Sequence, residues 1–374
     1  MNAEAGDLGA EDSRHMLTAL TLAKRTLGQV WPNPAVGCVI VNQGDVVGRG
    51  WTGKGGRPHA EPQALSAAGA LAAGATLYAS LEPCCHFGRT APCVDAIIGA
   101  GVVRVVVAVR DPDPRVSGLG ITHLREAGID VSVGVRADEA AELNAGFFMR
   151  CEKRRPLFTL KMATSLDGRI ATRGGESKWI TGELARRVAH RLRSSHDAVL
   201  VGSETALADD PDLGCRLPGM ECRSPVRIVI DGRLRLRPES RLVKTAARTP
   251  TWAVTRADAD PGSREALSRQ GVDLLLLEPE DGIGLNPIEI AFALGEKGLT
   301  RVLIEGGGRI AASFLAAGLV DRLAWFHGPR ILGGDAVPAA AAIGEEVLER
   351  APRFQRTDMA ELGDDVLELL RRVG

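Results

Sequence analysis

The sequence predicts an α/β protein made of two consecutive layered domains. Three observations support this: 374 residues exceed one ordinary core, strands alternate with helices in two series, and a charged stretch ending in proline separates the series. That stretch, residues 151–156, predicts a linker. The predicted domains are residues 14–150 and residues 157–374. Residues 1–13 are acidic and rich in Ala and Gly, and we expect them to form a disordered leader.

The first series begins with helical periodicity in residues 14–27, which stops at Gly28. Apolar strands at residues 36–41 and 46–51 flank a polar, glycine-containing turn and predict a hairpin. The later elements predicted for this half are helices at 59–73, 92–99 and 120–127 and strands at 75–81, 104–109 and 129–135.

The second series has the same alternation of strand and helix patterns, which is typical of a layered sheet with helical connections. Its predicted strands are residues 157–163, 198–201, 226–230, 251–254, 272–277, 301–305 and 322–326. Its clearest helices are residues 181–193, 287–296 and 309–317.

Composition argues against several functions and partners. The formal net charge is -1 and aromatic residues make up 4%, so neither a nucleic acid nor an acidic membrane surface is an expected partner. The apolar runs are too short to span a bilayer, and residues 1–13 lack an apolar signal region. The seven cysteines are odd in number, which disfavours a disulfide framework. We therefore expect a cytoplasmic protein.

One cluster of residues has the chemistry of a zinc site. His59 and Glu61 open a helix, and Cys84 and Cys93 flank a loop rich in Pro, His and Gly. Zinc prefers tetrahedral sites with imidazole and thiolate ligands, and a catalytic zinc keeps one position for water. One histidine and two cysteines supply three ligands and leave that position open.

Zinc deaminases have an H-x-E…P-C-x-x-C signature, in which the glutamate moves protons and does not bind the metal. The H-x-E and P-C parts match, but eight residues separate Cys84 from Cys93. Adjacent cysteines cannot easily bind one ion together, and we assign Cys84 because it follows the proline at a strand end. A structural zinc, with Cys85 or His86 as the fourth ligand, is the alternative at this point.

Four stretches resemble the family of bifunctional riboflavin biosynthesis deaminase–reductases. The resemblance extends from about residue 14 to residue 370, and the eight-residue cysteine spacing is similar to the spacing in that family. The matching stretches are residues 32–41 (PNPAVGCVIV), 58–61 (PHAE), 81–93 (LEPCCHFGRTAPC) and 161–171 (KMATSLDGRIA).

The resemblance implies a cytidine-deaminase-like three-layer domain followed by a dihydrofolate-reductase-like domain. It implies zinc-dependent deamination of a diaminopyrimidinone bearing a phosphoribosylamino group, followed by reduction of the ribosyl part to ribityl by NADPH. It also implies that His59, Cys84 and Cys93 bind zinc and that Glu61 is the catalytic proton shuttle. In the same pocket, Asn33 and His86 would contact substrate.

The second half lacks the G-x-G-x-x-G fingerprint of dinucleotide-binding Rossmann folds. It has three glycines, residues 306–308, between a predicted strand and a predicted helix, where backbone N–H groups can bind phosphate. The resemblance assigns this stretch to NADPH. The cofactor contacts that it implies are Ala163, Trp179, Thr205, Asp209, Gly232, Gly307, Gly308, Arg309, Ile310, Ala311, Ala312 and Ser313.

The substrate contacts implied for the reductase are Lys161, Ser177, Arg193, Leu213, Arg216 and Glu305. Among them, Lys161 would polarise the sugar carbonyl, and Arg193 and Arg216 would hold the substrate phosphate, a bidentate role suited to guanidinium. We expect a small-molecule substrate and a homo-oligomer.

Two alternatives to a bifunctional enzyme remain at this point. One is a nucleoside or nucleic-acid deaminase with an unrelated second domain, against which the near-neutral charge and few aromatics count. The other is a zinc-stabilised module whose second domain only binds a nucleotide. Glu61 beside the metal ligands argues against this module, since a structural zinc needs no such carboxylate.

Overall fold

The computed structural model describes residues 3–88, 90–280 and 284–373, with side chains from residue 9 onward. The chain divides into two compact units, Met1–Lys153 and Arg154–Gly374. The division falls inside the stretch expected to be a linker. That stretch is only partly a connection, because the last helix of the first unit, Ala145–Lys153, includes its first three residues.

The first unit is a five-stranded sheet with helices on both faces. Its strands are β1 (Gly37–Asn42), β2 (Asp45–Trp51), β3 (Thr76–Ala79), β4 (Arg104–Val107) and β5 (Asp130–Val133). Its helices are α1 (Ala3–Lys24), α2 (Ala60–Ala68), α3 (Cys93–Gly99), α4 (Leu119–Glu126), α5 (Ala137–Leu143) and α6 (Ala145–Lys153). The order is β2-β1-β3-β4-β5, with β3, β4 and β5 parallel.

Alternation along the strands sends buried side chains to two separate cores. From β1, Cys38 and Ile40 pack into the core formed with α2, α3 and α4. Val39 and Val41 point the other way and pack with Met16 of α1. Period-two alternation of apolar residues on both faces requires cover on both sides. The three-layer arrangement implied for this half is therefore confirmed.

The hairpin predicted near residue 44 is also present. Asn42 pairs with Asp45, and the two turn residues, Gln43 and Gly44, have φ of 52° and 86°. Positive φ at both central positions gives a turn whose twist matches that of the strands.

The prediction of a disordered leader is wrong for residues 3–13, which belong to helix α1, and residues 1–2 lie outside the described residues. Asp12 is 7% exposed and receives two hydrogen bonds from Arg104, at 2.8 and 2.7 Å, and one from the Tyr78 hydroxyl at 2.9 Å. A buried carboxylate is tolerated when it is paired and hydrogen-bonded in this way. The acidic composition of the segment gave no sign of this long-range partner.

The second unit is built on a nine-stranded sheet, with a separate pair formed by two short strands. Its strands are β6 (Leu157–Thr164), β7 (Arg169–Ala171), β8 (Ala198–Gly202), β9 (Val226–Ile230), β10 (Thr251–Arg256), β11 (Val272–Leu277), β12 (Arg301–Glu305), β13 (Val320–His327), β14 (Val337–Pro338), β15 (Phe354–Leu362) and β16 (Asp365–Arg372). Its helices are α7 (Glu183–Ser194), α8 (Ser203–Asp209), α9 (Arg241–Lys244), α10 (Pro261–Arg269), α11 (Pro287–Glu296) and α12 (Gly308–Ala316).

The large sheet has the order β11-β10-β9-β8-β12-β6-β13-β16-β15. In this order, the seven strands from β11 through β13 are all parallel to their neighbours. The final hairpin of β15 and β16 adds two antiparallel strands at the edge next to β13. In an open parallel sheet, ligands bind where the carboxyl ends of the strands meet. Residues that follow β8, β9 and β12 are therefore brought to one edge.

The final hairpin has no counterpart among the predicted elements. Strand β15 is exposed along nearly its whole length, so its side chains lack the apolar alternation that marks a half-buried strand. Within the described ranges, no helix is both long and apolar enough to cross a membrane.

Candidate active sites

The first candidate site lies at the start of helix α2. His59 is the N-cap residue, with extended backbone (φ −69°, ψ 165°), and Glu61 is the second helical residue. Two side chains that are two positions apart within a helix point in different directions. Because the backbone changes from extended to helical after His59, both side chains line one cavity of about 250 Å³.

Cys84 and Cys93 complete the cluster. His59 Nδ1 lies 3.3 Å from the sulfur of Cys93 and 3.6 Å from the sulfur of Cys84. Cys93 is the first residue of α3, and its backbone N–H donates to the Cys84 sulfur at 3.4 Å. The three ligand atoms lie within 4.8 Å of one another. Among the described residues, no other group of three or more His, Cys, Asp or Glu side chains is close enough together to hold a metal ion.

The ionisable side chains of this cluster shift one another's pKa values. Hydrogen bonds from the Cys93 thiol and from His59 lower the pKa of Cys84 to about 4. The Cys84 thiolate and burial raise the pKa of Cys93. Burial, together with the negative charge of Cys84, also raises the pKa of Glu61, which is 3% exposed.

These residues fit zinc. The Cys84 thiolate lies beside a buried carboxylate and a thiol, Cys93, whose pKa is raised, and a bound divalent cation would compensate the negative charge and favour ionisation of both sulfurs. One imidazole and two thiolates are ligands that zinc prefers, and three protein ligands are typical of catalytic zinc.

Cys85 is not placed as a fourth ligand. Its thiol donates to the backbone oxygen of Arg115 at 3.6 Å, away from the cluster. His86 lines the cavity, and its Nδ1 is buried with no hydrogen-bond partner among the described residues. A pocket-lining polar atom left in this state is suited to a ligand. The geometry therefore favours the catalytic over the structural reading of the cluster.

Asn33 also lines the cavity, as expected for a substrate contact. Its side-chain amide lies so close to Gly56 that a Cβ there would be 1.9 Å from the Asn33 nitrogen. Glycine at position 56 is therefore needed to leave room for this amide.

Sequence reasoning missed Asp111, which lines the same cavity and is 7% exposed. Burial raises the pKa of its carboxyl to about 7. Asp111 lies just beyond β4, the parallel neighbour of β3 in the sheet. The rule that ligands bind at the carboxyl ends of parallel strands could have found it.

The second candidate site is at the carboxyl edge of the nine-stranded sheet. Gly306 and Gly307 follow β12 with φ of 103° and 81°, and a Cβ on either would lie 3.3 Å from the Thr205 side chain. The Arg309 guanidinium donates to Glu204 at 2.7 Å, and a Cβ on Gly202 would meet Ile310 at 2.8 Å. The residues that follow β8 therefore contact the loop before α12 and the start of that helix.

The run expected to contact the cofactor continues into helix α12. Ala311 and Ala312 are 1% and 5% exposed and face the core, and the Ala311 N–H donates to the Gly307 oxygen at 3.0 Å. Ser313 is one residue further into the helix. The first-turn N–H groups, at Gly308, Arg309 and Ile310, are the groups that a helix leaves for an anion.

Three ionisable side chains form a buried row beneath this edge. Glu305 of β12 is in register with Lys161 of β6. Arg193 of α7 donates to both carboxylate oxygens of Glu305, at 2.6 and 2.8 Å. Burial opposes ionisation of Glu305, but Arg193 and Lys161 outweigh it and lower its pKa to about 2. Burial lowers the pKa of Lys161, and Glu305 partly offsets that effect.

The other residues expected at this site lie on loops and strand ends around it. Trp179 is 60% exposed, with the Arg186 guanidinium 4.4 Å from its ring centre, and Ser177 lies in the same loop. Leu213 is buried with φ of 59°. Three more occupy distinct positions: Ala163 is on β6, Asp209 ends α8 and Gly232 follows β9. Arg216 is exposed.

Family models match both units. The model for the cytidine and deoxycytidylate deaminase zinc-binding region matches residues 10–109. The model for the RibD C-terminal domain matches residues 156–367.

Whole-chain relatives match as well. The riboflavin biosynthesis protein RibD of Aquifex aeolicus is 43% identical over 361 residues, covering 96% of this chain and 98% of the relative. The RibD of Escherichia coli is 42% identical over 369 residues, covering 95% and 98%.

Solved structures also match nearly the whole chain. A crystal form of Acinetobacter baumannii RibD superposes with a TM-score of 0.88 at 37% identity, covering 98% of this chain and 100% of that chain. A Thermotoga maritima protein described as a diaminohydroxyphosphoribosylaminopyrimidine deaminase/5-amino-6-(5-phosphoribosylamino)uracil reductase superposes with a TM-score of 0.85 at 33% identity, covering 98% and 99%.

Proposed function

The chain belongs to the RibD family of riboflavin biosynthesis proteins and is a bifunctional deaminase and reductase, and from that premise we propose which of its residues perform each reaction. Its substrate is a small phosphoribosylaminopyrimidine, its first unit is a zinc deaminase and its second an NADPH-dependent reductase. We assign the deaminase to the unit Met1–Lys153 and the reductase to the unit Arg154–Gly374, which contain the predicted ranges 14–150 and 157–374. The observation that supports the deaminase assignment best is the buried Glu61 beside the cluster of His59, Cys84 and Cys93.

In the deaminase, His59, Cys84 and Cys93 hold zinc. Bound zinc supplies a nucleophile from water near neutral pH. Glu61 would take one proton from the attacking water and pass it to the ring nitrogen, and would then take the second proton from the newly added hydroxyl and pass it to the leaving amine. A carbon–oxygen bond forms, the carbon–nitrogen bond breaks, and ammonia leaves. Burial of Glu61 supports this role, because a carboxyl with a raised pKa can both accept and return a proton.

Polar side chains that line this cavity would orient the substrate. Asn33 offers both a donor and an acceptor, and the unpartnered Nδ1 of His86 offers one more contact. These groups fit the polar edge of a diaminopyrimidinone.

In the reductase, NADPH supplies the hydride. The first turn of α12 and the backbone of Gly307, which has φ of 81°, would hold its phosphates, with Thr205 against the glycines. Residues 309–313, with Asp209, Gly232, Ala163 and Trp179, would complete the cofactor site. On the substrate side, Lys161 would lie near the reacting end of the sugar. The remaining substrate contacts would come from Ser177, Arg193, Leu213, Arg216 and Glu305.

The two activities can be tested separately. Purified protein is given the diaminopyrimidinone ribosyl phosphate with and without NADPH, while ammonia release and NADPH oxidation are followed independently. We expect ammonia in both samples and NADPH loss in one. Ammonia release that required NADPH, or NADPH loss without prior ammonia release, would contradict the order of the two steps.

We also propose that the protein is a cytoplasmic homo-oligomer without nucleic-acid or membrane partners. The two thiolate ligands need a reducing compartment, and all seven cysteines are free. Strand β15 supports self-association, because an exposed edge strand presents unpaired backbone groups to a second copy. Light scattering on the purified protein measures the oligomeric state, and a monomer at micromolar concentration would contradict this proposal.

A further inference from the structure

A second buried glutamate lines the deaminase cavity besides Glu61. Glu82 lies in the segment after β3 and is 3% exposed. One oxygen of its carboxylate accepts hydrogen bonds from the backbone N–H groups of Asp111 at 3.2 Å and Gly118 at 3.0 Å. The other oxygen accepts from the N–H of Ile121 at 3.2 Å. Donors of this kind make the burial of a carboxylate tolerable.

The three donors belong to one stretch of chain between β4 and the first turn of α4. We call residues 111–118 of this stretch the wall loop, because four of its side chains line the cavity: Asp111, Asp113, Arg115 and Val116. The N–H groups at the two ends of the wall loop meet at a single oxygen of Glu82. The carboxylate therefore closes the loop.

Glu82 also supplies a cap for helix α4. The N-cap residue of this helix is Gly118, which has no side chain to accept the unpaired N–H groups of the first turn. Ile121 donates to Glu82 instead, and negative charge is favourable at this end of a helix. A Cβ on Gly120 would lie 2.2 Å from the Pro83 oxygen and 3.3 Å from Glu82 Oε1. Glycine at position 120 is thus needed for this close approach.

The carboxylate connects the wall loop to the segment that carries Cys84. The bond from the Arg115 N–H to the Asp113 carboxylate is internal to the loop and gives it local shape. A second connection, from the Cys85 thiol to the Arg115 oxygen, is 3.6 Å long, and a thiol is a weak donor. Hydrogen bonds to an ionised carboxylate are stronger, so Glu82 is the firmer attachment.

We propose that Glu82 is a positioning residue of the deaminase, which holds the wall loop against the segment that carries Cys84 and so shapes the cavity for its substrate. Its role differs from that of Glu61, because Glu61 moves protons whereas Glu82 fixes backbone. The proposal rests on the proposed deaminase function of this unit.

The test compares Glu82→Gln with the matched variant Glu61→Gln in the zinc-loaded full chain, with the diaminopyrimidinone ribosyl phosphate as substrate. Glutamine has a similar size, but its NH2 group cannot accept a hydrogen bond from the loop. Glu82→Gln should raise KM for ammonia release by about 10-fold, the effect expected when hydrogen bonds to a charged acceptor are lost. Glu61→Gln should lower kcat and leave KM nearly unchanged.

This split separates positioning from two other roles. A carboxylate needed only for proton transfer, or only for folding, would lower the rate or the number of active molecules and leave KM as it is. A lower kcat with an unchanged KM in Glu82→Gln would therefore contradict the proposal. Elemental analysis should find as much zinc in Glu82→Gln as in the wild type. Zinc loss would show that Glu82 supports the ligand Cys84 and not the wall loop, and the proposal would fall.

Hydrogen exchange followed by mass spectrometry measures the attachment itself without substrate. Peptides covering residues 111–121 should exchange faster in Glu82→Gln than in the wild type, while peptides from α1 should be unchanged. Equal exchange of residues 111–121 in the two proteins would overturn the proposal. Glu82→Asp keeps the charge on a shorter side chain and should give smaller increases in exchange and in KM, so it keeps the test open if Glu82→Gln fails to fold. If the wild-type protein released no ammonia, the deaminase function itself would fail, whatever the exchange result.

Discussion

The two sites of this protein are assembled in opposite ways. The residues proposed to bind zinc, together with Glu61, lie between residues 59 and 93. They are at the start of α2, in the loop after β3 and at the start of α3. The buried row of the reductase joins Lys161, Arg193 and Glu305, from three elements that are far apart in the chain. One site depends on local turns, and the other depends on strand order.

This difference decides how each site responds to amino-acid substitutions. A metal site depends on the identity of its ligand atoms, so loss of one ligand removes the function of the whole site. A row of paired charges depends on geometry, so its residues act through one another and their effects are not additive. Four predictions follow this contrast from the largest effect to the smallest.

Cys84→Ser should abolish zinc binding and ammonia release while NADPH oxidation with the deaminated intermediate continues. The hydroxyl does not replace a thiolate with a pKa of about 4. Metal content by elemental analysis and the two separate assays measure this. Cys85→Ser is the matched control and should keep its zinc, since the Cys85 thiol donates to Arg115. If Cys85→Ser lost its zinc and Cys84→Ser kept it, Cys85 and not Cys84 would be the zinc ligand.

Glu61→Gln should keep zinc and lower ammonia release by about 10²–10⁴-fold, the usual contribution of general acid–base catalysis. Glutamine has a similar size but cannot move the proton. The reductase rate should be unchanged, which would confirm that the two sites work separately. Near-normal deamination in a zinc-loaded Glu61→Gln protein would rule out the proton-shuttle role.

Gly307→Ala should weaken NADPH binding by about 5- to 30-fold, since a side chain at positive φ costs roughly 1–2 kcal/mol. Its backbone has φ of 81°, and the new Cβ would lie 3.3 Å from Thr205 Oγ1. Titration of NADPH fluorescence gives the Kd. Gly271→Ala is the control, because Gly271 also has positive φ (85°) but precedes β11, at the amino edge of the sheet. Equal Kd values for both variants would remove Gly307 from the cofactor site.

His196 should make the second unit lose stability in mild acid. Burial lowers its pKa to about 4, and its ring bonds to the Leu192 oxygen at 2.7 Å and Thr159 Oγ1 at 2.9 Å. The folded pKa lies below the unfolded value of about 6.5, so the unfolded state binds more protons between these values. Stability is complete above pH 6.5 and declines as the pH falls toward 4, by about 2 kcal/mol at pH 5. Urea unfolding of wild type and His196→Asn at pH 7 and pH 5 measures this, and an equal decline in both would exclude His196 as the cause.

The sequence by itself determined the α/β class, the β1–β2 hairpin and the chemistry of the zinc cluster. These depend on short-range physics: period-two apolar alternation, a glycine at a tight turn, and ligand types that few other roles explain. The resemblance of four stretches then indicated the family. Sequence reasoning also placed Asn33 and His86 in the deaminase cavity through that resemblance, and the structure finds both among its lining residues.

Only the tertiary structure decided the rest. Helix α1 extends into the acidic N-terminal segment because Asp12 meets Arg104 across the fold, and composition cannot show such a partner. Asp111 enters the deaminase cavity because β4 is the parallel neighbour of β3. Arg193 pairs with Glu305 because α7 packs near the end of β12, and Glu305 meets Lys161 because β12 and β6 are in register. Lysine, arginine and glutamate are common surface residues, so their types carry little information until the register of a sheet brings them together.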